Sequence, residues 1–127
     1  MLRLLTWLSR TLSRDPDAEL RGARLLVENL STAQRQQYAR QRSFEVIGGQ
    51  TGKRYRIRRS SAINVEELDS EGRSVGGWCF LPKGGLVIGD VMLAQKLALE
   101  LFEHEALAVG YRYPRDHATT GTIHQHA

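Results

Sequence analysis

The stretch Ser43-Phe44-Glu45-Val46-Ile47-Gly48-Gly49-Gln50-Thr51-Gly52-Lys53-Arg54-Tyr55-Arg56-Ile57-Arg58 decides the fold. Phe44 and Val46 alternate with Glu45 and Ile47, and Tyr55 and Ile57 alternate with Arg54, Arg56 and Arg58. Alternation of period two marks strands with one buried and one wet face, and the intervening glycines give the backbone the freedom that a reversal needs. The stretch predicts a β-hairpin.

Downstream, Ile63 to Leu68 reads as a third strand, with Ile63 and Val65 on one face and Asn64 and Glu66 on the other. After the polar turn Asp69-Ser70-Glu71-Gly72, a fourth strand starts near Arg73, carries Val75, Trp78, Cys79, Phe80 and Leu81, and stops at Pro82. Gly76-Gly77 inside it suggests a bulge or a close approach to the backbone. Leu86-Val87-Ile88 reads either as a further strand or as a loop packed into the core. A helix then starts at Gly89-Asp90, with Asp90 as its N-cap. Met92, Leu93, Ala94, Leu97, Ala98, Leu99, Leu101 and Phe102 give that helix a wide apolar surface, which predicts deep burial against the sheet. Gly110 is the expected stop, Tyr111 to Pro114 a departing strand or coil, and 115–127 a polar tail.

Upstream the period is that of helices. Leu4, Leu5, Leu8 and Leu12, with Trp7 beside them, recur at helical spacing. Asp15-Pro16-Asp17 then interrupts and restarts a helix to about Glu28, with Asp15 as cap and Pro16 at the first helical position. Ser31-Thr32-Ala33-Gln34 is a capping-box pattern opening a polar third helix over 32–42, expected on the surface. The sequence thus predicts an α+β fold in which N-terminal helices precede a four-strand antiparallel meander and a C-terminal helix packs on the sheet. Its parts are a helical arm at 1–42, a core at 43–110 and a tail at 111–127, within one domain.

Length and composition agree with that size. The 127 residues, 41% of them hydrophobic, suffice for one modest core, and the single cysteine, Cys79, excludes an intramolecular disulfide framework. A reducing cytoplasm is the expected setting. The apolar runs are too short to span a bilayer, since Arg3, Thr6, Ser9 and Arg10 interrupt the first of them. The net charge of +4 conceals a division: 1–60 hold 13 Lys and Arg against 5 Asp and Glu, whereas 61–127 hold 5 against 9. Such polarity suits attraction to anions from one end, and equally suits self-association.

The densest basic cluster is Lys53, Arg54, Arg56, Arg58 and Arg59, three of which project from one sheet face. That arrangement suits sequence-independent, salt-sensitive contact with nucleic-acid phosphates. The same parity places Glu45 and Glu66 on this face as cross-strand partners, which is the reading that pairing logic favours. Gly48 to Lys53 resembles a phosphate-binding loop only in ending Gly-Lys, because the hydroxyl residue and helix that should follow are replaced by Arg54 and a strand.

Cys79 has His104 as its one histidine within the predicted fold, and an inert buried cysteine is the simpler expectation. His124 and His126 sit in the tail without a nameable supporting shell, so no metal site is expected. The acidic runs at Glu66 to Glu71 and Glu100 to Glu105 fall where solvated turns and helix faces carry charge. No acid, base and nucleophile set is complete, and no cofactor is implied.

Tyr55-Arg56-Ile57, Asn64-Val65, Leu68-Asp69 and above all Gly89-Asp90-Val91-Met92-Leu93-Ala94-Gln95-Lys96 carry a resemblance over about 43–109. Through them the chain resembles a group of small uncharacterised bacterial and phage-associated proteins. The resemblance implies a compact module and no particular activity. It directs notice to Asn64, Gln95 and Lys96, polar residues that either line a shared surface pocket or mark the solvent side. The leading expectation is a non-catalytic binding or adaptor module that engages a protein partner or another copy of itself through Leu4, Trp7, Leu8 and Leu12. A nucleic-acid accessory role through the basic strand is the alternative, and contact of the first helix with an anionic membrane surface ranks below both.

Overall fold

Asp15 has an extended backbone, and its carboxylate accepts from the Asp17 amide at 2.9 Å, so helix α1 (Pro16–Glu28) begins at the Asp-Pro step. The computed structural model describes residues 15–59, 64–80 and 86–114. The expected first helix with Leu4, Trp7, Leu8 and Leu12, the strand start at Ile63, the stop at Pro82 and the tail histidines lie outside them. Helix α2 (Thr32–Gln41) opens on the reciprocal capping box of Ser31 and Gln34, with bonds of 3.0 and 3.2 Å. It closes on Arg42 in the left-handed region at φ 56°.

Strands β1 (Ser43–Ile47), β2 (Arg54–Arg58), β3 (Val65–Leu68) and β4 (Ser74–Cys79) form the antiparallel meander, and the fold is α+β. The strand count differs from expectation. A fifth strand, β5 (Tyr111–Pro114), returns after the C-terminal helices and pairs antiparallel with β4, Cys79 opposite Tyr111 and Trp78 opposite Arg112. The Arg112 guanidinium lies 5.6 Å from the centre of the Trp78 ring, a cation–π contact that helps hold this short edge. The bulge also sits one residue earlier than the glycine pair: the register slips between Glu67 and Leu68, which leaves Val75 unpaired.

Phe44, Val46, Tyr55, Ile57, Val65 and Trp78 form the buried sheet face. Edge-to-face ring pairs join Tyr38 to Phe44 at 6.1 Å and Tyr55 to Trp78 at 6.0 Å. Helix α2 does more than lie on the surface. Its Gln37 carboxamide oxygen accepts from the Glu45 amide at 2.9 Å, and the Gln34 side chain donates to the Glu45 carbonyl at 2.9 Å. Two glutamines thereby close the β1 edge against further strand pairing.

The helix on the buried face is α3 (Ile88–Leu101), and its start corrects the sequence reading. Val87 is the cap, without a side-chain bond, and Asp90 lies inside the first turn, where its charge still faces the positive helix end. The helix is also not continuous to Gly110. Phe102, at φ −139° and ψ 50°, breaks it, and α4 (Glu103–Val109) follows. Burial is one-sided: Met92, Gln95 and Leu99 face inward, whereas Leu97, Leu101 and Phe102 are 44%, 62% and 59% exposed.

Helix α1 crosses α3 at a pair of glycines. A Cβ at Gly89 would stand 2.4 Å from the Gly22 carbonyl, and one at Gly22 would stand 2.2 Å from a Val87 methyl. Only bare backbones allow that approach, and it carries Leu26 and Leu30 into the core. Among the described residues, no helix is long and apolar enough to cross a membrane.

Candidate functional site

The turn that resembled a phosphate loop does hold an anion, but an internal one. Glu103 is fully buried, and one carboxylate oxygen accepts from the backbone amides of Gln50 at 2.9 Å and Thr51 at 2.8 Å. The other accepts from the Tyr55 hydroxyl at 2.5 Å and from the Thr51 hydroxyl. The Gln50 carboxamide oxygen in turn accepts from the His104 amide at 2.7 Å. Gly48 and Gly49 make room for this. A Cβ at Gly48 would meet the Glu103 carboxylate at 2.3 Å, and one at Gly49 would meet the Glu100 carbonyl oxygen at 1.9 Å.

Burial acts to raise the Glu103 pKa, but the bonds from Thr51, Tyr55 and Gln50 outweigh it and hold the carboxyl at about 2. Burial, followed by the hydrogen bond to Glu103, pushes the Tyr55 phenol far up, so it stays a donor. This arrangement is a clamp joining the hairpin to α4 rather than an acid–base pair, because neither group changes protonation near neutrality. Sequence reasoning assigned Glu103 to a solvated run. Its one signal was the glycine-rich turn, whose backbone amides needed an acceptor that only the long-range fold supplies.

On the outer sheet face the arginines find acids. Arg54 donates to Glu45 at 3.0 Å through Nε and Arg58 pairs with Glu66, whereas Lys53 lies 3.3 Å from Glu67, which stands opposite Tyr55 on the other face. Both arginine pairs run diagonally across the ladder, since the residue opposite Glu45 and Glu66 is Arg56. Arg56 and Arg59 form no ion pair among the described residues. Arg59 instead lines a cleft of about 720 Å³ with Arg42, Glu19 and the apolar Leu20, Tyr38 and Ile88. Arg35 is used elsewhere, donating to the Val27 carbonyl at 2.9 Å at the end of α1.

Cys79 and His104 are not brought together. Cys79 ends β4 at the sheet end that holds Asn64, while His104 bonds the β1–β2 turn at the opposite end. The thiol is half-buried, and desolvation raises its pKa, away from the thiolate that a nucleophile needs. Among the described residues no cluster of three His, Cys, Asp or Glu side chains has metal-binding geometry.

The three polar residues singled out near the helix divide. Asn64 is 3% exposed and extends the β3–β4 ladder, its side chain donating to the Phe80 carbonyl at 2.8 Å and accepting from the Phe80 amide at 2.9 Å. Lys96 pairs with Glu100 one turn on, at 2.8 Å. Of the three, Gln95 alone lines a half-open cavity of about 320 Å³, which it shares with Val91, Ala94, Ala98 and Leu99 of α3, Ala106 and Val109 of α4, and Phe80. Asn64 therefore acts on this cavity only by fixing the backbone of Phe80, and the three do not share a pocket.

No protein-family description, curated protein or solved structure matches the chain.

Proposed function

We propose that the chain is a non-catalytic binding module of the cytoplasm that works by protein association, in its simplest form with a second copy of itself. The observation that carries this is the apolar ridge of Leu97, Leu101 and Phe102, which stands out to solvent from a helix whose other side fills the core. Apolar side chains grouped this way mark interaction surfaces, and a helix needed only as a core element would carry polar residues there. The charge division supports the same reading, because the basic 1–60 of one copy complements the acidic 61–127 of another. Leu4, Trp7, Leu8 and Leu12, apolar at helical spacing in the sequence and outside the described residues, are proposed to serve the same purpose.

Sedimentation equilibrium of the full chain tests this. The expected mass rises toward a dimer with concentration, and Leu97→Lys with Leu101→Lys holds the chain monomeric while leaving its circular dichroism unchanged. A wild-type chain that stays monomeric across a wide concentration range overturns self-association.

A second reading, nucleic-acid binding, keeps support from Arg42, Arg56 and Arg59, which have no acid partner among the described residues. Lys53, Arg54 and Arg58 contribute less, being already paired. Titration with a fluorescent oligonucleotide at low and moderate salt decides it: binding that falls steeply with salt and with Arg42→Gln plus Arg59→Gln supports it, and no binding at low salt removes it.

A further inference from the structure

We propose that the cleft between α1, the end of α2 and the start of α3 binds a small organic anion, a carboxylate carried on an apolar body, with Arg42 and Arg59 holding the carboxylate. The two arginines are neighbours at the end of the first hairpin. Ser43 pairs with Arg58, and one step further out the Arg59 amide donates to the Arg42 carbonyl at 3.1 Å. Like charges placed opposite one another on a ladder repel, and neither guanidinium has an acid partner among the described residues to relieve that. Arg42 also holds φ 56°, as the one residue other than glycine with positive φ among those described. Glycine or asparagine usually occupies such a helix end, and an arginine there bears a local cost. An anion shared between the two guanidinium groups accounts for both the neighbouring charges and the residue kept at that cost.

Tyr38 points to the same ligand independently. It is 8% exposed and lines the cleft, and its hydroxyl has no hydrogen-bond partner among the described residues. The sealed, unpartnered polar atoms among those residues belong to Gln95, so the Tyr38 hydroxyl reaches solvent. A phenol donates one hydrogen, which a carboxylate oxygen accepts. Leu20, Ala23 and Ile88 supply apolar walls. The volume of about 720 Å³ falls within the roughly 300–1,000 Å³ of ligand sites, which combine an apolar lining with a few placed polar groups. Glu19, the one acid among the described lining residues, forms no ion pair with either arginine and weighs against a polyanion, so a single carboxylate fits better than a run of phosphates. None of Leu97, Leu101 and Phe102 lines the cleft, so this site and the association surface stand or fall separately.

Protein-observed NMR of the full chain with 2-naphthoate and octanoate tests the proposal, with 2-naphthamide and octanamide as neutral counterparts and inorganic phosphate as an anion without an apolar body. The expected result is a saturable shift of the Tyr38, Arg42 and Arg59 backbone amide signals, with at least one carboxylate bound about tenfold more tightly than its amide and than phosphate, the worth of one charge-assisted hydrogen bond. Arg42→Gly removes one guanidinium and is at ease at φ 56°, so it should keep the Tm of the wild type and weaken carboxylate binding about tenfold. Arg59→Gln should weaken it to a similar degree, and Tyr38→Phe, which keeps the ring, should weaken it by a smaller factor. The proposal is overturned if neither carboxylate gives a saturable shift at these residues, if the amides or phosphate bind as tightly, which leaves a plain basic surface, or if Arg42→Gly and Arg59→Gln bind the carboxylate as the wild type does.

Discussion

Replacing Glu103 by glutamine keeps the shape of the side chain but makes it permanently neutral, as the carboxyl becomes when protonated. In the folded chain the carboxylate collects bonds from the Gln50 and Thr51 amides and from the Thr51 and Tyr55 hydroxyls, and these bring its pKa from the ordinary 4.5 to about 2. At about 1.4 kcal/mol per pH unit, that difference corresponds to about 3 kcal/mol of stability that depends on the charge. Because the folded pKa is the lower one, this stability is complete above the unfolded value, is lost between about pH 5 and pH 2, and is gone below that. Urea unfolding of wild type and Glu103→Gln at a series of pH values isolates it. The variant should be about 3 kcal/mol less stable at pH 7, and the gap should close as the pH approaches 2. A gap under 1 kcal/mol at neutrality, or one that does not narrow in acid, refutes the reasoning.

Gly89→Ala raises helix propensity by about 1 kcal/mol, yet sets a Cβ 2.4 Å from the Gly22 backbone. Overpacking of about 1–3 kcal/mol or more should win, so thermal denaturation should show a lower Tm. Asn64→Ala removes both side-chain bonds to Phe80 and should cost about 1–3 kcal/mol, with faster amide exchange at Phe80 as the local signature. Arg54→Ala breaks a half-exposed pair with Glu45 and should change urea-unfolding stability by less than about 1 kcal/mol at moderate salt.

Local patterns wrote the meander, the caps Asp15 and Ser31 and the helix start at Pro16 plainly into the chain, because each depends on neighbours within a few residues. The parity of Phe44 to Ile57 even placed the arginines opposite Glu45 and Glu66, although the diagonal choice of partners was not legible. Long-range features were hidden. The β5 strand needs the two helices before it to turn the chain back beside β4, and no short pattern encodes that return. Asp90 has the chemistry of a cap, but the helix starts earlier because Gly89 must lie inside it to meet Gly22. Glu103 carried the same charge as Glu100 and Glu105, and only the glycine turn, distant in sequence, makes it a buried acceptor. Gln95 was visible as a polar residue in an apolar helix, whereas its burial without a hydrogen-bond partner among the described residues is set by the packing of distant elements.

The central claim is that the solvent side of α3 is an association surface. A dilution series of the isotope-labelled full chain, followed by backbone amide shifts, tests it most directly. The account predicts concentration-dependent shifts gathered on Leu97 to Phe102, lost in the chain carrying Leu97→Lys and Leu101→Lys. Spectra that do not change with concentration, or shifts gathered on Arg54 to Arg59 instead, would contradict it.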